Sequence, residues 1–128
     1  MKDKHLDAKG KGEVNYDYKN DTLLFKIKDR EYVKSIDFDD LVVDIDKEGY
    51  ITGVQIFEAS EMFKIDKEAL RNIKYFEFDT KAENNVISIR LRFTHVRRNK
   101  QVIERGENLR RESASPLIDS EVLCTVPA

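Results

Sequence analysis

Cysteine and histidine are scarce in this chain of 128 residues, and the scarcity limits its chemistry. The one cysteine, Cys124, cannot form a disulfide within the chain, and His5 and His95 lack the spacing of a zinc site. No apolar run approaches the about 20 residues of a membrane-spanning helix, and the N-terminus has no apolar signal segment. We therefore expect a cytoplasmic protein that has no membrane segment, no metal and no cofactor.

Motifs of the common enzyme classes are also lacking. Neither G-x-S-x-G nor a Walker pattern occurs, and no strand precedes the G-x-G of Gly10 and Gly12. The conceivable nucleophile–base pair is Cys124 with His95, but Cys124 lies in an alternating pattern typical of a core residue. We expect no catalytic residues and no enzyme. An enzyme in which His95 acts as a general base is a remaining alternative, because imidazole titrates near neutral pH.

Charge of one sign is not in excess over the whole chain, since 23 basic and 25 acidic side chains give a net charge of −2. This balance provides no general attraction to nucleic acids or membranes. Locally the balance fails: acids dominate residues 35–48, and residues 90–111 hold eight bases against Glu104 and Glu107. Any charge-driven partner would therefore meet one of these two segments.

Alternation of apolar and polar residues predicts strands through most of the chain. In the first half the pattern covers residues 14–18, 23–27, 32–38, 41–45 and 50–57. The segment from Asp46 to Gly49 predicts a hairpin turn, and a change of apolar parity predicts a bulge near Thr52-Gly53. We place Asp44 and Asp46 on the solvent face of their strand. The alternative, a calcium loop over 44–55, has Gln55 where a bidentate carboxylate is needed.

Residues 59–72 form the one segment with a helical pattern, in which Asp66 can cap a helix that begins at Lys67. Further strands are predicted around residues 75–78, 87–93, 102–109 and 122–126. The fold class we predict is α+β and mostly β, with antiparallel meander sheets and one short helical segment near residues 59–72. We expect a flexible tail over 1–12 and a single β-rich domain over 13–128.

The first half of that domain resembles a known family, and the resemblance is carried by a series of short motifs. These are Tyr16-Asp17, Asp21, Leu23–Ile27, Leu41–Asp46, Gly49, Ile51, Gly53, Val54–Ile56 and Ala59-Ser60. In this order they resemble a family of small prokaryotic domains of unknown function, number 2283 in its series. The resemblance covers residues 14–60 and implies a small β-rich domain with a short helix. It implies no established activity and no catalytic residues; some members resemble the antitoxin halves of toxin–antitoxin pairs.

The acidic run Asp37, Phe38, Asp39 and Asp40 is the partner-binding site we predict, because an aromatic ring among acids can engage a basic partner. The function we predict is an uncharacterised, non-enzymatic interaction domain that self-associates through open strand edges. The alternative is an antitoxin-like protein that masks a small basic toxin with the acidic 37–48 surface.

Nucleic acid is a less favoured partner, because the face of Arg90 and Arg92 lacks aromatic rings for base stacking. A two-residue turn at Asn99-Lys100 would also place Arg92 opposite Glu107, which would neutralise part of the basic stretch. The same pairing would place His95 opposite Glu104 and Phe93 opposite Gly106.

Overall fold

The structure is a computed structural model, and it describes residues 4–9, 11–96 and 102–127. The described residues form ten strands and two short helices. In chain order these are β1 Lys4–Asp7, β2 Gly12–Asp17, β3 Thr22–Ile27, β4 Tyr32–Asp37, β5 Leu41–Asp46, β6 Ile51–Ile56, α1 Ala59–Phe63, α2 Lys67–Leu70, β7 Ile73–Glu83, β8 Val86–Val96, β9 Val102–Glu112 and β10 Ser120–Pro127. In the described part of the chain, no helix is long and apolar enough to cross a membrane.

The strands form two five-stranded sheets that share one apolar core. One sheet, which we call sheet A, has the order β1-β10-β7-β8-β9, and the other, sheet B, has the order β2-β3-β6-β5-β4. The sheets meet through aromatic rings: the ring centroids of Phe25 in sheet B and Phe76 in sheet A are 4.6 Å apart. Phe63 of α1 packs edge-on against Phe93 of sheet A, with centroids 5.0 Å apart. The mostly β fold class is confirmed.

Sheet B is not one continuous meander, because β3 pairs with β6 and leaves β4 at the edge. Burial explains this order. Both faces of β6 are largely buried, whereas five of the six residues of β4 are exposed. A strand with apolar residues on both faces is stabilised at the centre of a sheet, and a poorly alternating polar strand suits an edge.

The flexible tail predicted over residues 1–12 is wrong for residues 4–7. These residues form β1, which pairs in parallel with β10 so that Leu6 lies beside Val122. Leu6 packs against the core, and Ala8 is buried within it. These two apolar residues, although they lie in a charged segment, stabilise β1 at the edge of sheet A.

The hairpin predicted at residues 46–49 is confirmed. Gly49 has a φ of +94°, and its amide donates to the carbonyl oxygen of Asp46 at 3.0 Å. The bulge near Thr52-Gly53 is confirmed as well, because the pairing passes from Asp44 opposite Gly53 to Ile45 opposite Ile51. A side chain at residue 53 would meet the Oδ2 atom of Asp44 at 3.0 Å, so this close approach favours glycine.

The solvent-face placement of Asp44 and Asp46 is wrong, since both residues are buried. The Asp44 carboxylate accepts a hydrogen bond of 2.6 Å from the Ser35 hydroxyl. Asp46 accepts 2.7 Å from Arg30 Nη1, and its other oxygen accepts the amides of Glu48 and Tyr50 at 2.9 and 3.0 Å. These carboxylates are buried because they bind the hairpin and the neighbouring strand, and such satisfied hydrogen bonds offset the loss of water.

The helical segment over 59–72 is confirmed as two helices of one turn each. Asp66 caps α2, because its Oδ1 atom accepts the amide of Ala69 at 2.8 Å. Lys64, with a φ of +55°, separates α1 from the cap of α2. The left-handed residue ends α1, which is why the segment does not continue as one helix.

The pairing predicted for the basic strands is wrong by one residue. In β8 and β9, Arg92 lies opposite Gly106, Phe93 opposite Arg105, and His95 opposite Ile103. The predicted turn at 99–100 lies outside the described residues. The observed register places Leu109 opposite Ile89 on the core side, where Leu109 packs against the core. A shift by one residue would turn Leu109 outward, so burial of this side chain sets the register.

Candidate interaction surface

The predicted acidic site, residues 37–40, spans the last residue of β4 and the loop that leads to β5, and two of its carboxylates are engaged within the protein. Asp37 accepts the amide of Asp39 at 2.8 Å, which holds Asp39 at a φ of +72°. The Asp40 carboxylate forms an ion pair with Arg111 of β9, so the loop ties sheet B to sheet A. Phe38 is half-buried and packs against the core. Residues 37–40 therefore present Asp39, part of the Phe38 ring and the exposed Asp37, which has one carboxylate oxygen engaged, rather than four free side chains.

Beside this loop, β4 presents an open strand edge with exposed apolar side chains. Its pairing within the described residues is with β5 alone. Tyr32 and Val33 at its start are 60% and 64% exposed, more than the other large apolar side chains of the described residues. Lys34, Ser35 and Asp37 are also exposed. The sequence pattern predicted the strand, but its poor alternation alone did not identify it as the edge.

Three residues of the family-like motifs form a half-buried clamp between the β2–β3 hairpin and α1. The Asp21 carboxylate accepts hydrogen bonds of 2.6 Å from both the Tyr16 and the Ser60 hydroxyls. The Ser60 amide donates to the same carboxylate at 3.0 Å, and the Ala59 amide donates to the Asp21 carbonyl. These contacts explain the motif residues as structural, because they join two segments that lie far apart in the chain.

The clamp also shifts the acidity of its members. Burial alone would raise the pKa of Asp21, but the hydrogen bonds from Ser60 and Tyr16 outweigh it and lower that pKa. The pKa of Tyr16 is raised, first by burial and then by its hydrogen bond to the Asp21 carboxylate. Asp21 is therefore held ionised and Tyr16 protonated, which favours a stable clamp over proton transfer.

The residues of the enzyme alternative lie in the core. Cys124 is buried, its Sγ atom lies 3.6 Å from the Ala8 carbonyl oxygen, and burial raises the pKa of its thiol to about 11. A thiol of raised pKa is a poor nucleophile at neutral pH. His95 is 1% exposed and lies beside the Phe93 ring. Neither side chain opens onto a cavity that we observe around the described residues.

The basic stretch does not form a continuous positive surface in the described residues. Its arginines divide between the two faces of sheet A: Arg90, Arg92 and Arg110 project outward, and Arg105 and Arg111 share the parity of the core-facing residues. On the outer face the arginines alternate with acids, since Arg92 lies opposite Glu77 and within 3.9 Å of Glu104. The neutralising acids are therefore on β7 and at Glu104, not at the predicted Glu107.

A shallow groove of about 530 Å³ crosses this outer face. It is lined by residues of four strands: Asp79, Lys81, Ser88, Arg90, Asn108, Arg110 and Glu121, with the backbone around Ile89 and Leu109. Burial raises the pKa of Asp79, the Glu121 carboxylate raises it further, and Arg90 acts in the opposite direction. The groove could not be predicted from the sequence, because its residues come together only through the observed pairing of β8 with β9.

Proteins of two organisms are similar in sequence to more than two thirds of this chain. An uncharacterized protein of Methanocaldococcus jannaschii is 34% identical over 95 residues, which cover 73% of this chain and 82% of that protein. A protein of Methanosarcina mazei, named "Putative hypoxanthine phosphoribosyltransferase", is 36% identical over 88 residues, which cover 69% of this chain and 72% of that protein. No solved structure matches the chain.

The family comparison matches the part of the chain that builds most of sheet B. The family described as "Protein of unknown function (DUF2283)" matches residues 13–60, a range that runs from β2 to the start of α1. Its motif residues hold the 46–49 hairpin, the bulge at Thr52-Gly53 and the Asp21 clamp in place. By this match and by the relatives that extend it, the chain belongs to this family of proteins of unknown function.

Proposed function

We propose that the protein is a non-enzymatic interaction domain that self-associates by pairing the β4 edges of two copies. The observation that supports this proposal is the exposure of Tyr32 and Val33 on a strand whose outer edge is open. An open edge offers unpaired backbone amides and carbonyls, and exposed apolar side chains beside it add burial when a second strand pairs.

The other three sheet edges offer less for pairing. In β2, the second edge of sheet B, the exposed residues are Asn15 and Asp17, neither of them apolar. β1 has four residues, which gives a short ladder. β9 is long but carries six charged side chains within residues 104–112, and α1 lies against it. Charged residues and covering elements are the usual protection of strand edges. β4 therefore supports the pairing proposal best.

Charge complementarity supports an antiparallel pairing of β4 with its own copy. A register in which Lys34 of one copy lies opposite Asp37 of the second places two opposite-charge pairs across the two-fold axis. Val33, which lies at a bulge in the β4–β5 pairing, would then approach Phe38, the first residue after β4. Such opposite-charge pairs each contribute about 0.2–1 kcal/mol. In this arrangement the loop 37–40 contributes to the interface through Asp37 and Phe38.

Sedimentation equilibrium over a range of concentrations tests the proposal. We expect a reversible dimer that Val33→Lys converts to monomer, whereas Ile118→Lys, which changes an exposed apolar residue outside β4, leaves it intact. Lys34→Glu should weaken the dimer, and the double variant Lys34→Glu/Asp37→Lys should restore it. A wild-type monomer at all concentrations would exclude self-association, and a dimer insensitive to Val33→Lys would exclude β4 as the interface.

The antitoxin-like function remains the second candidate, and the exposed, left-handed Asp39 supports it. A basic toxin would then bind the acidic 37–48 surface. Because Asp40, Asp44 and Asp46 are engaged within the protein, fewer carboxylates are available than the sequence indicated. Co-purification of a small basic protein, lost on Asp39→Asn and in high salt, would favour this candidate over self-association.

The name of the Methanosarcina mazei relative concerns that protein alone. Our proposal that this chain is not an enzyme is supported by the buried positions of Cys124 and His95. A cytoplasmic location is likewise proposed, in agreement with the single cysteine of the chain.

A further inference from the structure

The groove on the outer face of sheet A has a built pattern of polar side chains that the self-association proposal does not use. Four of its residues occupy the corners of a rectangle on two neighbouring strands, because Ser88 lies opposite Arg110 and Arg90 lies opposite Asn108. Short side chains, Ser88 and Asn108, occupy one diagonal. The two arginines occupy the other diagonal.

Sheet geometry sets the size of this rectangle. Directly opposed residues have Cβ atoms about 4.5–5.5 Å apart, and diagonal neighbours are about 7–8 Å apart. Two guanidinium groups that rise from diagonal corners can therefore close on one group above the short side chains. Arginine presents several N–H donors in a planar fork, which matches the oxygens of a phosphate.

The remaining corners and the neighbouring strand add further donors. Ser88 and Asn108, which also line the groove, carry a hydroxyl and an amide that can donate hydrogen bonds. Lys81 lies directly opposite Ser88 on β7, where it also forms an ion pair of 3.4 Å with Glu83. Asp79 lies opposite Arg90 and can orient its guanidinium, and Glu121 lies opposite Lys81 on β10. The acids of the groove therefore lie near β10, and the end of the groove over β8 and β9 is basic.

We propose that the rectangle of Ser88, Arg90, Asn108 and Arg110 binds the phosphate group of a small molecule. The two arginines neutralise the charge, and the hydroxyl and amide donate to the remaining oxygens. Lys81 lies on the side from which a ligand would extend toward β7. The site belongs to sheet A, on a strand pair separate from the β4 edge, so the two proposals stand or fall independently.

Amide chemical shifts measured by NMR during titration test the site. The probes are inorganic phosphate and adenosine monophosphate, each added at constant ionic strength so that general screening does not change. We expect saturable shifts centred on residues 88–90 and 108–110. Arg90→Gln and Arg110→Gln should each weaken binding by about tenfold, since each removes charge-assisted hydrogen bonds.

Arg105→Gln is the matched control, because Arg105 lies on the same strand as Arg110 but has the opposite parity. It removes the same charge and should leave the affinity unchanged. Equal affinity for the two probes assigns the site to the phosphate group alone, and tighter binding of adenosine monophosphate assigns it to a phosphorylated metabolite. Shifts that never saturate, equal weakening by Arg105→Gln, or binding of a single-stranded oligonucleotide without either small probe would overturn the proposal.

Discussion

At the residue scale, hydrogen bonds to carboxylates explain why the family motif contains so many acids. Asp21, Asp44 and Asp46 each accept a hydrogen bond from a side chain of a different segment. A carboxylate has several acceptor positions, so one residue can join two or three segments at once. These acids therefore stabilise the junctions of sheet B, whereas a partner or a metal would require them to be free.

Gly49 provides a residue-scale test of the hairpin. Gly49→Ala should destabilise the protein by about 1 kcal/mol or more, because alanine is strained at the φ of +94°. An added Cβ atom would also lie 2.9 Å from Ile118 Cδ1. Urea denaturation should show this loss, while Lys47→Ala in the same turn should change stability little. Equal stability of the two variants would contradict the structural role of Gly49.

The clamp at Asp21 predicts a pH dependence whose sign follows from its lowered pKa. Asp21→Asn should cost about 1–3 kcal/mol at neutral pH, because the charge-assisted bonds from Tyr16 and Ser60 are weakened. The stabilisation by Asp21 is present above the unfolded carboxyl pKa of about 3.9 and is lost as the pH falls through the lower folded value. Denaturation curves of both proteins should therefore converge in acid. A difference that stays constant below pH 4 would contradict the ionised clamp.

At the scale of elements, the sequence predicts which face of a strand is buried wherever the residues on one face are apolar. Leu23, Phe25 and Ile27 alternate cleanly, and β3 lies where the pattern predicted. The prediction of the buried face failed in β9, where charged residues dominate the sequence and Leu109 is the residue whose packing against the core sets the register. A pairing based on charge pairs alone was misleading, because exposed ion pairs contribute less than burial.

The burial of the carboxylates could also not be predicted from the local alternation of apolar and polar residues. Asp44 alternates with Val43 and Ile45 as a solvent-facing residue would, and nothing local indicates that Ser35 covers it. The order of sheet B was missed for a related reason. It depends on which strand tolerates an edge, a property of the whole sheet rather than of one segment.

Leu109 tests the register of β8 and β9 directly. Leu109→Glu should destabilise the protein by about 1–3 kcal/mol, because it places a charge where an apolar side chain packs against the core. Asn108→Glu, one residue away and exposed on the outer face, is the control and should change stability by about 0.5 kcal/mol or less. Equal effects of the two substitutions, measured by urea denaturation, would argue against the observed parity.

At the scale of the whole molecule, the two sheets have different exposed features. Sheet B, which contains the family-matched residues, has an edge at β4 with exposed apolar side chains. Sheet A carries a mixed-charge outer face with a groove. Asp40 and Arg111 connect the loop beside the β4 edge to β9 of sheet A. The interface that we propose therefore involves sheet B and leaves the groove of sheet A accessible.

The distance between β4 strands in solution tests self-association through this edge most directly. A spin label at Lys34→Cys, read by pulsed dipolar spectroscopy, should give a short distance between two copies, because paired strands lie about 4.7–4.9 Å apart. The buried thiol of Cys124, with its pKa of about 11, should resist labelling. A label at Glu104→Cys on β9 provides the control and should give a longer distance. A short distance at Glu104 with none at Lys34, or no dipolar coupling at any protein concentration, would contradict pairing through β4.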